Sequence, residues 1–100
     1  MAEFSETVEA RGGSFTLHGR YREDFAPVAE AFMENFRVEE ELGAATSLVL
    51  DGETVVDLWG GWAREDRSQP WLEDSTVCMM SVAKGVTGIA FNMLIESGLV

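Results

Sequence analysis

The fold is decided by residues 45–59, which read ATSLVLDGETVVDLW. Two runs rich in β-branched and large apolar residues flank the dipeptide Asp51-Gly52 in the middle of this stretch. β-Branched side chains favour strands, and Asp-Gly tolerates the positive φ angles that a two-residue hairpin turn requires. The stretch therefore predicts an antiparallel hairpin of two strands.

The residues after the hairpin predict a change of direction and then a surface loop. Gly60-Gly61 permits a bulge or a sharp bend, and Trp62-Ala63 is expected to start a third short strand. Residues 64–70 are charged and polar, which is typical of a loop on the protein surface.

The residues before the hairpin predict an amphipathic helix. From Asp24 onward, apolar side chains recur at helical spacing, so Asp24 is the predicted N-cap, and Pro27 is tolerated in the first turn. The helix is expected to end near Leu42-Gly43. The acidic residues 39–41 oppose the helix dipole and favour fraying of that end.

Residues 1–20 give a weak structural signal. They mix acidic residues with Arg11, Gly12 and further glycines, and only Ser14 to His18 alternate enough to predict a short strand. We therefore predict an irregular arm over residues 1–20, followed by the structured region of residues 21–100.

A second helix is predicted from Ser81 to Ser97, with Gly98 as its C-cap. Apolar side chains form one broad face, and the opposite side is small or weakly polar with almost no charge, a pattern typical of a buried helix. Gly85 and Gly88 each cost about 1 kcal/mol relative to alanine in a helix interior. They are therefore expected to admit neighbouring backbone.

Length and composition allow one modest globular core. The chain has 100 residues, of which 46% are hydrophobic and 25% charged, as is typical of a folding chain. The predicted elements leave more apolar surface than they can cover for one another, and the chain ends on the apolar residues 98–100. We therefore expect one domain that is truncated at its C-terminus, with the remaining partner structure C-terminal to Val100.

The net charge of −11 disfavours contact with phosphate backbones and anionic lipid surfaces, so we predict neither a nucleic-acid partner nor a membrane role. Residues 1–6 contain no basic stretch and no apolar run, so no secretory signal is expected. The single cysteine, Cys78, leaves no internal disulfide and agrees with a reducing compartment. We therefore expect a cytoplasmic protein.

Ser81 and Lys84 are the candidate catalytic residues because they form the motif S-x-x-K, which places both side chains one turn apart on one helix face. A neutral amine, or a tyrosinate beside an ammonium, can remove the serine proton during attack on a carbonyl. Lys84 is the single lysine in the chain and lies among apolar and small residues, so a function explains its position better than packing does. The alternative is that Ser81 caps the helix while Lys84 reaches water.

Other residues favour structural interpretations. His18 has no second ligand at metal-binding spacing, so neither a metal nor a cofactor is predicted. Cys78 lies in an apolar run and is interpreted as a small buried residue. The tryptophans could line a substrate cleft, but we interpret them as core residues, as is more usual near a hairpin. They are Trp59, Trp62 and Trp71.

Residues 21–100 resemble the class C β-lactamase-related esterases and D-aminopeptidase-like hydrolases, a family of serine hydrolases that recognise penicillin. The resemblance implies an α/β (α+β) protein with the β-lactamase/transpeptidase-like fold, in which both helices cover an antiparallel sheet. Relatives often have threonine where this chain has Ala83. The resemblance is carried by the ordered segments Leu42–Ala45, Asp51–Glu53, Val56–Ala63 and Met80–Thr87.

The resemblance also implies acyl transfer with Ser81 as nucleophile and Lys84 as its activating partner, on a small ester, amide or β-lactam substrate. The family's tyrosine from a Y-x-N segment and its later H-x-G or K-T-G strand are absent from these 100 residues. Tyr21 and His18 lie upstream, in the wrong order, so half an active site is expected. The rival prediction is a non-catalytic acidic interaction module, or a pseudo-enzyme with a relic motif.

Overall fold

The computed structural model describes residues 1–10 and 13–100, except the side chain of Ala10. It combines two helices with one antiparallel sheet of four strands in the order β1-β2-β4-β3. A 3₁₀ turn at Glu23–Phe25 precedes the first helix. The elements are β1 (Ala2–Ala10), β2 (Gly13–Tyr21), α1 (Ala26–Arg37), β3 (Gly43–Leu50), β4 (Glu53–Gly61) and α2 (Val82–Glu96).

The predicted hairpin is confirmed. Leu50 pairs with Glu53 across the turn, and both turn residues have positive φ angles, 50° for Asp51 and 79° for Gly52. These are the signs that a two-residue hairpin turn of type I′ requires. The expected third strand is not formed, because β4 continues through Gly61 and Trp62 makes a single bridge to Pro70.

The prediction of an irregular arm over residues 1–20 is wrong. β1 and β2 pair along their whole length, from Ala2 opposite Tyr21 to Ala10 opposite Gly13. Phe4 and Val8 supply the driving force, since both are buried by the fold. Arg11 and Gly12, which belong to the predicted arm, lie outside the described residues.

Helix α1 begins later and ends earlier than predicted. Asp24 is not the N-cap, because that position belongs to Phe25 and carries no side-chain cap. The Asp24 carboxylate instead accepts hydrogen bonds from the Arg22 guanidinium at 2.7 and 2.9 Å, which lower the pKa of this carboxyl. The helix ends at Arg37, before the acidic residues 39–41 that oppose its dipole.

The hydrophobic core lies between α1 and one face of the sheet. Ala29, Phe32 and Phe36 project from α1 at helical spacing, and each is at most 7% exposed. The remaining core residues come from the strands, and those at alternate positions along a strand share the face that α1 covers. They are Phe4, Val8, Leu17, Val55, Val56 and Leu58.

The glycine pair at the end of β4 lets chain segments approach closely. Gly61 has a φ angle of 83°, and a Cβ there would lie 2.7 Å from Phe36 Cε1 and would also strike the Leu42 carbonyl oxygen. Only glycine meets both conditions without strain. Gly61 is the last residue of β4, and its positive φ angle sets the path of the chain toward residues 62–72.

Helix α2 forms where it was predicted, and Gly98 follows its C-cap with a φ angle of 82°. The prediction that α2 is buried is not met, since all of its residues are exposed. Helix α1 packs against β1, β2 and β4, and no described element packs against α2 to a similar extent. A Cβ at Gly85 or Gly88 would meet no atom of the described residues within 4 Å. No helix in the described ranges is long and apolar enough to cross a bilayer.

Candidate active site

The candidate site stands at the start of α2. Ser81 is the N-cap residue of this helix, and Lys84 lies in its first turn, with the Lys84 backbone N–H donating to the Ser81 carbonyl oxygen at 3.1 Å. The Lys84 ammonium Nζ donates to Ser81 Oγ at 3.2 Å. The structure thus brings the two predicted side chains into direct contact, and both are exposed.

Ser81 Oγ is free of the capping role that the alternative interpretation gives it. As N-cap, Ser81 makes no side-chain hydrogen bond to the first turn of the helix. A capping serine would accept a hydrogen bond from a backbone N–H two or three residues ahead. Among the described residues, the hydrogen-bond partner of the Ser81 hydroxyl is Lys84.

The backbone of Ser81 is held in an unfavourable conformation. Its φ and ψ angles are 63° and −3°, in the left-handed region that glycine prefers. A residue with a Cβ pays roughly 1–2 kcal/mol there. Strain of this kind is found at functional sites, where it holds a reactive side chain in one direction.

We expect Ser81→Gly to stabilise α2 by about 1 kcal/mol relative to Ser81→Ala, because alanine keeps the strain of the Cβ and glycine removes it. The difference corresponds to about fivefold greater protection of α2 amides from hydrogen exchange. Both variants lack the hydroxyl, so they differ only in the conformational free energy of the backbone at residue 81. Equal protection in the two variants would show that the Ser81 backbone carries no strain.

The pair can perform part of an acyl transfer. At 3.2 Å from Oγ, Lys84 Nζ is within reach of the hydroxyl proton, which the amine can accept in its neutral form. The start of α2 also directs backbone N–H groups and the positive end of the helix dipole toward the same region, where negative charge on an oxygen would be stabilised. The arrangement suits attack of a serine oxygen on a carbonyl carbon.

The other candidate residues lie elsewhere. Tyr21 packs edge-on against Phe4 at 6.1 Å, beside the core, and His18 stacks on Trp59 at 6.2 Å. Cys78 is exposed, so its interpretation as a buried residue is wrong, because no described element covers the apolar run around it. Within the described ranges, no group of three or more His, Cys, Asp or Glu side chains could hold a metal ion.

The interpretation of the tryptophans as core residues is also wrong. They are half-buried and lie outside the core cluster. Together they line a cavity of about 410 Å³, here called the aromatic cleft. Its lining residues are Ser14, Phe15, Thr16, His18, Trp59, Gly61, Trp62, Pro70, Trp71 and Leu72.

Part of the aromatic cleft is lined from the sheet face opposite α1, whereas Phe15 lies on the core side, where its ring meets Phe36 of α1 at 5.5 Å. Thr16, His18 and Trp59 alternate with the inward residues Leu17 and Leu58, so they point away from the core. The sequence showed three tryptophans close together but could not predict the pairing of β2 with β4, which places His18 opposite Trp59.

Trp71 lines both the aromatic cleft and a second cavity of about 530 Å³, which lies beside the start of β3 and the segment 75–79. Its backbone N–H donates to the Gly61 carbonyl oxygen at 2.8 Å, which fixes the chain at this point. The indole Nε1–H is buried and has no acceptor among the described residues. An unpaired buried donor costs about 1–3 kcal/mol.

Comparison with known proteins gives two matches. The family model described as Beta-lactamase matches residues 28–100. The curated protein Esterase/beta-lactamase LipL of Mycobacterium tuberculosis (strain ATCC 25618 / H37Rv) is 38% identical to this chain over 76 residues. That match covers 76% of this chain and 18% of LipL, so the chain spans less than a fifth of that relative's length. No solved structure matches the chain.

Proposed function

The chain belongs to the serine β-lactamase-related family, and from this premise we propose that it carries the nucleophile of a serine hydrolase that works through an acyl-enzyme. Ser81 is the nucleophile and Lys84 its activating base. The observation that carries the proposal is the 3.2 Å contact between Lys84 Nζ and Ser81 Oγ. It is supported by the absence of a capping bond from Ser81.

The reaction proceeds in two steps. Lys84 Nζ, together with the tyrosine that this chain lacks, takes up the hydroxyl proton while Ser81 Oγ attacks the carbonyl carbon of an ester, amide or β-lactam. The proton then passes to the leaving alcohol or amine, whose bond to the carbonyl carbon breaks. Water attacks the resulting ester of Ser81, releasing the acid and restoring the serine hydroxyl. Neither step requires a metal or an organic cofactor.

The substrate class follows from the same chemistry. One serine nucleophile serves esters and β-lactams alike, and LipL is described as both an esterase and a β-lactamase. We therefore propose a small ester, amide or β-lactam as substrate. Strands and loops outside these 100 residues would choose among them.

The proposal extends to the architecture. The helices and antiparallel sheet form the N-terminal part of a β-lactamase/transpeptidase-like domain, whose remainder lies C-terminal to Val100. That remainder supplies the tyrosine and the second oxyanion donor that this chain lacks. It also covers the exposed apolar residues of α2, such as Val86, Ile89 and Met93, which are 62%, 64% and 65% exposed in this structure.

The test is covalent labelling. The protein that contains this chain, and separately the chain itself, are treated with a fluorophosphonate and with a penicillin-type acylating probe, and the adduct is located by peptide mass spectrometry. We expect the longer protein to be labelled at Ser81 and the Ser81→Ala variant to remain unlabelled. We expect no label on the isolated chain, because the missing half completes the site.

Two outcomes would contradict the proposal. If neither probe labels the longer protein, the non-catalytic alternative replaces it. The same conclusion holds if the label falls on a residue other than Ser81, for example on the exposed serines Ser5 or Ser14.

A further inference from the structure

We propose that the aromatic cleft is a binding site, separate from Ser81 and Lys84, for a small neutral molecule with a planar aromatic ring and a hydrogen-bond acceptor next to the ring. Its volume of about 410 Å³ is large enough for a ring with a short substituent. The proposal does not depend on the proposed hydrolase function, because none of the residues that line the cleft is Ser81 or Lys84.

The walls of the cleft suit a flat ring. His18 and Trp59 lie nearly parallel, with 26° between their planes, and Trp62 is braced edge-on by Phe15 at 6.5 Å. Both tryptophans are half-buried and line the cleft. Aromatic rings favour stacked and edge-on contacts with other rings over contacts with saturated groups of the same size.

The charges around the cleft favour a neutral occupant. None of the ten lining residues is an aspartate, glutamate, lysine or arginine, so the cleft offers an ionised ligand no partner with a permanent charge. The net charge of −11 also repels anions from the surface around it. A neutral molecule loses less hydration free energy than an ion when it leaves water for such a site.

The acceptor is required by Trp71. Its indole N–H is buried without an acceptor among the described residues, although the ring lines the cleft. The proposed site requires the Trp71 ring to turn on binding, so that this N–H reaches an acceptor on the ligand. Backbone contacts hold Trp71 in this position. Its backbone N–H donates to the Gly61 carbonyl oxygen, and the preceding residue, Pro70, forms a β-bridge with Trp62.

The proposal is tested by NMR titration of the chain with acetanilide, a neutral aromatic amide. The chain has three tryptophans and therefore three indole N–H signals, which Trp→Phe variants assign. We expect saturable shifts of the Trp59 and Trp71 signals. N-cyclohexylacetamide, which lacks the flat ring, should bind about fivefold more weakly. Benzoate, which is charged, should cause no saturable shift.

Variants separate the cleft from other sites. Trp71→Phe keeps the ring but loses the N–H, and we expect it to weaken acetanilide binding about fivefold. If Trp71→Phe does not fold, His18→Leu is used instead. This variant removes an exposed ring from the wall of the cleft and should also weaken acetanilide binding. Phe91→Leu, on the distant exposed surface of α2, should leave the dissociation constant unchanged. Ser81→Ala should also leave it unchanged.

Three outcomes would overturn the proposal. They are the absence of saturable shifts, equal affinity for acetanilide and N-cyclohexylacetamide, and loss of binding in Ser81→Ala. The last of these would assign the ligand to the hydrolase site. None of them bears on whether Ser81 is labelled by an acylating probe, so this proposal and the proposed function fail independently.

Discussion

Replacement of Lys84 by methionine is expected to slow acylation of Ser81 about a thousandfold, in the middle of the range for loss of a positioned general base. Methionine keeps most of the length of the side chain but cannot accept the proton that leaves Ser81 Oγ. The contact of 3.2 Å between Nζ and Oγ would be lost with the amine. The measurement is the rate of covalent labelling by the fluorophosphonate in the protein that contains this chain.

Lys84→Arg is the control that distinguishes a base from a positive charge. Arginine keeps the charge but remains protonated at any pH at which the protein is folded, so it cannot act as the base. We expect this variant to be as slow as Lys84→Met. Recovery of most of the rate in Lys84→Arg would show that Lys84 acts by its charge, and the base would then have to be another residue.

Phe36→Ala is expected to destabilise the chain by about 3–5 kcal/mol. Phe36 is fully buried and meets Phe32 and Phe15 edge-on at 5.3 and 5.5 Å, so its ring joins α1 to the sheet. A loss of this size is comparable to the whole stability of a small domain. The measurement is urea-induced unfolding, followed by the circular dichroism of the sheet.

Phe91→Ala is the matched control, because it removes the same side chain from a position that is 51% exposed on α2. We expect it to change the free energy of unfolding by no more than about 0.5 kcal/mol. If the two variants unfold at the same urea concentration, Phe36 does not contribute to the core in the way the structure indicates.

The sequence predicts the local parts of the fold well. The hairpin of β3 and β4 is encoded by Asp51-Gly52 and its flanking strands, so neighbouring residues are sufficient to define it. The N-terminal strands are harder to predict, because Glu6 interrupts the alternation of Phe4 and Val8. Glu6 lies opposite Leu17 in the sheet, yet it is exposed. Glutamate is also unfavourable in strands.

The long-range arrangement of the strands and helices cannot be predicted from local sequence patterns. The pairing of β2 with β4 joins residues as far apart in the chain as Leu17 and Gly60, and no local pattern specifies it. The position of α2 is a related case. Its apolar sides predict a partner, but the described residues contain none that covers it.

The candidate site also has a part that local sequence predicts and a part that it does not. The contact between Ser81 and Lys84 is predictable because three residues of helix fix it. The left-handed backbone of Ser81 is not predictable from the motif, since the motif does not describe how the chain enters the helix. The aromatic cleft depends on the pairing of β2 with β4, which local sequence does not specify, so the sequence alone places its tryptophans in the core.

Because β4 lies inside the sheet, the sheet is expected to fold in successive steps. Each hairpin can form locally within microseconds, whereas the union of β2 with β4 must first close the chain between Tyr21 and Val56. Helix α1 lies within the chain segment that is closed, so the contacts of its apolar face stabilise the closed arrangement. We therefore expect the joining of the two hairpins to be the slow step of folding, and substitutions at the buried Leu17 and Leu58 to change its rate.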